Sequence, residues 1–578
     1  MEPLRANAVG GLVLAALTTW TACTGPVVRP AAIDDFAPLE STVTLIGDLA
    51  RPYGLNYVKV EGVSLVTGLA GTGADPAPGP QRAVLLAEMQ CRGIENPAQI
   101  LASSDTALVL VRGFLRPGIQ KGDRFDVEVR VPSRSEVQSL RNGWLLTTRL
   151  SELAVLGQQI RRGHLLATAA GPLLVDPTAA GARDRPLLTQ CQVLGGGVCA
   201  KSRSLGLAID TEHRSVQTSQ AIGKAINLRF HTHVDRAKQG VATPKTDQFV
   251  ELLVHPRYKD NISRYMHVIR SIALDETATQ RQERLELLAQ QLADPVSAAT
   301  AAQRLEAIGT DAAETLKKAL HVADQDPEVR FYAAEALAYL DDSDAVATLA
   351  ACARDEPAFR LYALTALSAM DDVAAVDALR DMLSARSGET RYGAFRALTA
   401  MDKDHPAVRG EMLGDQFNYH VLNVEGPAMI HVTRSYRPEV VLFGRDLAFK
   451  LPVMLDAGRH IMVNGRGGSE ITVSRFAAEE GDQKRVVSAQ VDAVIRAVVD
   501  LGGTYPDVVQ MLTEAKESGT LTCRFRTDAL PKSGRSVRRA DATGDEPELE
   551  EDLPTVANPI PDLFRRWRTG GSGKEEQG

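Results

Sequence analysis

Between Asp275 and Gly410 the chain repeats itself, and that repeat limits the fold more than any other feature of its 578 residues. Three stretches read "DPEVRFYAAEALAYLDD", "EPAFRLYALTALSAMDD" and "GETRYGAFRALTAMD". Arg330, Arg360 and Arg391 recur about every thirty residues, and a leucine follows each one seven residues later, at Leu337, Leu367 and Leu398. A degenerate earlier copy begins at Pro295 and puts Leu305 in the same register, making four. Within a copy, Val329, Ala333, Ala336 and Leu340 share one helical face, and Val346, Leu349 and Ala350 share the next. So short a helix pair cannot bury its own apolar face, so the copies must stack as a solenoid. The repeated arginines read either as ties between repeats or as ligand groups.

The flanks are of another kind. A chain of this length holds several domains. Its 44% hydrophobic and 24% charged residues are those of ordinary globular protein. A net charge of −8 leaves no basic footprint, which argues against nucleic acid as a partner. Before the array, Leu108 to Val111 form a continuous apolar run, and Phe125, Val127, Val129 and Val131 alternate with charged residues at a strict period of two. Helix-like "RAVLLAEMQCRG" precedes them, and strand-like "SLGLAID", helix-like "RSVQTSQAIGKAINLRF" and strand-like "DQFVELLVHP" follow. After the array, "PAMIHVTRSYRPEVVLFGRDLAFKLPVMLDAG" reads as several strands. Two helices then follow, one carrying Val491, Val494, Ile495, Val498 and Val499 on one face, the other opening at Pro506 and stopping at Gly519. Leu521, Cys523 and Phe525 alternate as a last strand. The expected class is α+β and multidomain, with an inserted all-α solenoid.

The first residues contain a lone Arg5 and an apolar segment from Val9 to Leu17, too short to span a bilayer and of signal-peptide length. It ends in Trp20-Thr21-Ala22-Cys23, which resembles a bacterial lipobox with Trp20 where an aliphatic residue is usual. Export is expected. Lipidation of Cys23, simple cleavage and a retained anchor all stay open. Among the other cysteines, Cys191 and Cys199 bracket "QVLGGGV", read as a flexible loop that a disulfide could close in an oxidising compartment; the alternative is two unpaired thiols. No Cys-x-x-Cys pair points to zinc, and "HTH" at His231 to His233 lacks a third ligand nearby, so no metal is expected.

The stretch "GVSLVTGLAGTG" brings Gly62, Gly68, Gly71 and Gly73 around a short strand, Val63 to Val66. It has neither the Gly-Lys-Ser/Thr of a phosphate loop nor Gly-x-Gly-x-x-Gly. The four glycines are expected to be structural turns, and no cofactor is expected. No Ser/His/Asp arrangement or paired acid site can be assembled from spacing, so the chain is not expected to be an enzyme.

Four ordered segments carry a resemblance. "VEGVSLVTGLAGTGAD", "TALVLVRGFLRPGIQKGDRFDVEV", "SEVQSLRNGWLLTTRL" and "VDAVIRAVVDLGGTYPDVVQMLTEAKESGTL" resemble, in order, segments of the flagellar basal-body P-ring protein family. The resemblance spans about residues 41 to 275 and 425 to 526, and the repeats between them resemble short HEAT repeats. Arg149 stands where the family has a proline. The implied domains are a signal segment over 1–30, P-ring-like α+β regions over 31–175 and 176–275, a HEAT-like insertion over 276–412 and a P-ring-like β-rich region with a two-helix ending over 413–530. A charged tail, 531–578, is expected to be disordered on composition. The resemblance implies a periplasmic structural protein of the bacterial flagellum. It would polymerise with itself into a ring around the rod within the peptidoglycan, beside the outer-membrane L-ring protein. The array is expected to project from that ring and dock an unknown protein partner. The alternative is a secreted or lipid-anchored envelope binding protein that uses the same fold outside the flagellum.

Overall fold

A computed structural model describes residues 43–156, 159–179, 182–234, 237–322, 325–476, 481–535 and 555–564. Its first body is a barrel. Six antiparallel strands pair in the order Arg124–Arg130, Ala107–Leu115, Val58–Thr67, Trp144–Leu156, Gln159–Pro172 and Gln190–Cys199, and the last pairs back with the first. Such closure leaves no sheet edge within the ring of strands. The alternation read in the sequence puts Val127 and Val129 inside, with Val60, Val109, Val111, Ala167 and Val193. Helix Pro80–Cys91 covers the outer face through Leu85 and Met89, against Leu65 and Leu108.

The second body is a four-stranded sheet containing Ala50–Tyr53, Leu205–Ile209, Ala242–Pro244 and Phe249–Leu252, covered by helices Val216–Arg229 and Ile262–Arg270. Eight helices of the array follow, from Ala278–Leu292 to Gly388–Met401. The leucines of the repeat, Leu305, Leu337, Leu367 and Leu398, are all buried. The chain closes with a five-stranded mixed sheet and a four-stranded meander, Val453–Ala457 to Gln483–Ser488, which packs on helices Val491–Asp500 and Tyr505–Glu517. The two-helix ending thus stands where the apolar spacing put it, although the final strand is only Arg524–Thr527.

Two features depart from a plain insertion and a disordered tail. The array is not a separate lobe of the chain. One continuous core joins Leu207, Ile226, Tyr258, Tyr265 and Ile269 of the second body to Leu305, Leu337, Leu367 and Leu398 of the array and to Met429, Val441 and Phe443 beyond it. Nor is the whole charged tail disordered: Val556, Asn558, Leu563 and Phe564 are buried against that same core. Local composition cannot report contacts made with residues more than two hundred positions away. Because apolar burial stabilises by about 25 cal/mol per Å², uncovering such a face is costly. Joining residue 275 to residue 411 through a short Gly/Ser linker should therefore leave helices Val216–Arg229 and Ile262–Arg270 without hydrogen-exchange protection, while the barrel, which has its own core, keeps its protection. Retained protection in those two helices would show the array to be separable.

Candidate functional site

The glycine stretch lies at the rim of the barrel. Gly68 and Gly71 have φ of 81° and 89°, values that favour glycine, and they form the turn expected of them. The other two glycines are not turn residues. Gly62 sits inside strand Val58–Thr67, where an added Cβ would come within 2.6 Å of the Arg149 carbonyl oxygen. Gly73 has no positive φ and instead lets the backbone pass close against Thr106. Four of the loop's amides are committed within the chain. Leu69 N–H donates to the Asp105 carbonyl (3.1 Å), Gly71 N–H to Asp105 Oδ1 (3.0 Å), Thr72 N–H to the Leu69 carbonyl (3.1 Å) and Gly73 N–H to the Ser104 carbonyl (2.7 Å). These bonds shape the backbone and leave no cradle of free amides for an anion.

The proposed Cys191–Cys199 disulfide is also corrected. "QVLGGGV" is not a loop but part of strand Gln190–Cys199, whose ends hold the two thiols, both free. Cys191 pairs with Val129 and Val198 with Arg124, five residues apart on the neighbouring strand, a separation on the order of 17 Å and out of disulfide reach. Gly197 serves the barrel interior, since a Cβ there would stand 2.7 Å from the Phe125 ring. Burial pushes the Cys191 thiol well above the ordinary range, as expected of an inert core group. Cys23 lies outside the described residues, as does the apolar segment before it. Strand His231–Val234 contains the "HTH" stretch, and among the described residues no group of three His, Cys, Asp or Glu could hold a metal ion.

The concentrated chemistry lies at the seam between the second body and the array. Arg264 projects from helix Ile262–Arg270 and is 1% exposed. Its Nη2 meets Glu306 Oε2 at 2.6 Å and its Nη1 meets Glu335 Oε2 at 2.7 Å, and both carboxylates are buried. The Tyr258 hydroxyl donates to Glu306 Oε1 at 2.6 Å, and the Arg264 guanidinium lies 4.5 Å from the centre of the Tyr339 ring. Burial raises the Glu335 carboxyl to about 6, against the opposing pull of Arg264. The first repeats therefore supply two acids that the second body neutralises with one base.

The same segment continues along the array. Arg257 donates from Nη1 to the Tyr339 carbonyl (3.4 Å) and from Nε to the Ala369 carbonyl (3.2 Å), and Lys259 Nζ donates to the Ala400 carbonyl (2.6 Å). Those carbonyls end three successive repeat helices, where unpaired C=O groups and the helix dipole favour a cation. Two of the repeated arginines act alike inside the array. Arg360 donates to the Ala353 and Arg354 carbonyls and pairs with Glu389 of the next repeat, while Arg391 donates to the Leu383 carbonyl. At these positions the reading as ties between repeats holds.

A second link fastens the barrel to the C-terminal sheets. Asp126 accepts from Gly195 N–H at 2.7 Å and from Tyr436 N–H, and burial raises its carboxyl to about 6. Arg434 meets Asp176 at 2.8 Å.

Sequence reasoning missed Arg264, Glu306 and Glu335. The available signal was two acids about one repeat apart, each among alanines on an apolar face. Substituting Arg264→Met should destabilise the chain by about 3–5 kcal/mol near neutral pH, because it strands two buried carboxylates. Glu335, raised from 4.5 to about 6, favours folding below pH 4.5 and loses that contribution as pH rises through 6. The penalty in R264M should therefore shrink in denaturant melts as pH falls from 7 toward 5; a pH-independent or negligible penalty would contradict the pairing.

Comparison with known proteins agrees with this geometry. Residues 45–283 match the family described as flagellar P-ring protein, and residues 282–360 match HEAT repeats. A flagellar P-ring protein of Albidiferax ferrireducens is 29% identical over 209 residues, covering 34% of this chain and 52% of that one. Those of a Bradyrhizobium species (25% over 241 residues; 40% and 60%) and of Thermotoga maritima (26% over 247; 40% and 67%) are similar in the same way. The chain spans about half to two thirds of the length of these curated relatives. Over residues 45–283 the chain is thus similar to flagellar P-ring proteins, and residues 282–360 are similar to HEAT repeats.

Proposed function

We propose that this chain is a structural subunit of the flagellar basal-body P-ring, which assembles with copies of itself around the rod in the periplasm, within the peptidoglycan and beside the outer-membrane L-ring protein. One observation carries the reading: the matched range, 45–283, coincides with two complete folded bodies, the closed barrel and the four-stranded layer with its helices. The likeness thus covers the barrel and the layer that carries Arg264. The resemblance over 425–526 lies outside both matched ranges, yet it concerns the sheets that Asp126 and Asp176 fasten to the barrel, which supports extending the reading to the C-terminal half.

A structural rather than catalytic role fits the chemistry. The glycine loop has four of its amides committed, and the strongly perturbed acids Glu335 and Asp126 serve as seams between bodies. On this reading the array thickens the subunit, and its outer helices, Ala313–His321, Ala345–Asp355 and Val373–Met382, are the surface on which a further protein would dock. Export of residues after 22, with Cys23 as a lipid anchor, belongs to the same proposal. A strain deleted for this chain should lose swimming, and its isolated basal bodies should lack the periplasmic ring. Normal swimming with intact rings would contradict the assignment.

A further inference from the structure

Residues 555–564 form no helix or strand and lie along the seam that Arg264 closes. Their hold on the array centres on Asn558, which is buried. Gln303 Nε2 donates to its Oδ1 at 2.9 Å, and its Nδ2 donates to Glu335 Oε2, the same oxygen that Arg264 Nη1 meets at 2.7 Å. The Tyr332 hydroxyl accepts from Ala557 N–H at 3.2 Å. Toward the other end, Asp562 N–H donates to the Asp260 carbonyl at 2.7 Å. Asp260 stands just before Asn261, whose side chain caps helix Ile262–Arg270 by accepting from Arg264 N–H at 3.1 Å. The segment is thus bonded to both sides of the seam: to a carboxylate on the array, and to the root of the helix that carries its partner. Val556, Leu563 and Phe564 are buried in the core that those two sides share.

A buried ion pair holds well only where water is kept out and the lone pairs that the cation leaves over find other donors. Asn558 is such a donor for Glu335. A segment without helix or ladder bonds of its own opens at a lower free energy than the elements beneath it, so the contact that completes the pair is also the one most easily released.

We propose that residues 555–564 act in cis as a latch on this seam. Unseated, they leave Glu335 to Arg264 alone and open to water, and helix Ile262–Arg270 is loose against the array; seated, they lock the pair. The latch is independent of the ring assignment.

Native-state hydrogen exchange on the full chain tests it with two substitutions. Asn558→Ala removes the donor to Glu335, and Phe564→Ala removes an apolar anchor while leaving Asn558 and Glu335 in place. In each, exchange should rise by about tenfold or more not only in 555–564 but across Ile262–Arg270 and Pro327–Tyr339, with barrel strand Ala107–Leu115 unchanged. A synthetic peptide of residues 555–564 added to N558A should restore the protection of both helices, and the same peptide carrying Asn558→Ala should not. In wild type the segment should exchange through an opening more populated than that of Pro327–Tyr339. A rise confined to 555–564, or a wild-type segment that opens only together with those helices, would overturn the latch, as would a peptide that restores nothing.

Discussion

The seam between the second body and the array turns on one buried arginine. Arg264 lies almost wholly out of water and neutralises two carboxylates, Glu306 and Glu335, that the first two full repeat helices could not otherwise bury. Placing three ionised groups in a low-dielectric core costs several kcal/mol per ion, and replacing them with apolar groups is often neutral or stabilising. Their presence is better understood as setting the register of the seam. Only one placement of helix Ile262–Arg270 against the array brings Arg264 to both acids, Tyr258 to Glu306 and Arg257 to the Tyr339 carbonyl together. The continuous core beneath supplies the stabilisation, and the charges choose the alignment.

That alignment changes what the repeats are for. A free solenoid presents an extended surface to whatever binds it. Here the ends of three inner helices are already occupied by Arg257 and Lys259 of the same chain, and the groove beside them by the C-terminal segment. The array behaves less as an appendage than as a brace uniting the second body, the C-terminal sheets and the tail.

The repeat was legible because it is periodic and local. Its arginine and leucine register could be counted, and the stacking followed from what one helix pair cannot bury. The alternating strands and the two-helix ending were legible for the same reason. The glycines were only half readable. Gly68 and Gly71 take the positive φ that a turn requires, whereas Gly62 and Gly197 sit in strands where the need is closeness, to the Arg149 carbonyl and to the Phe125 ring. Composition does not distinguish those two uses of a missing Cβ. The seam was not legible at all, since Arg264 and Glu306 are 42 residues apart and Asn558 and Glu335 are 223 apart. Such pairs show only as charges misplaced on apolar faces, and the acidic run before the tail hid the peptide that follows it.

The account's central claim is that the second body and the array are one cooperative unit locked by Arg264. Native-state hydrogen exchange resolved by peptide tests it most directly. Amides in Ile262–Arg270, Ala298–Ile308 and Pro327–Tyr339 should open together, with the same free energy and the same denaturant dependence. If the repeat helices stay protected while Ile262–Arg270 exchanges in a separate, earlier step, the two are independent bodies in contact, and the account is wrong.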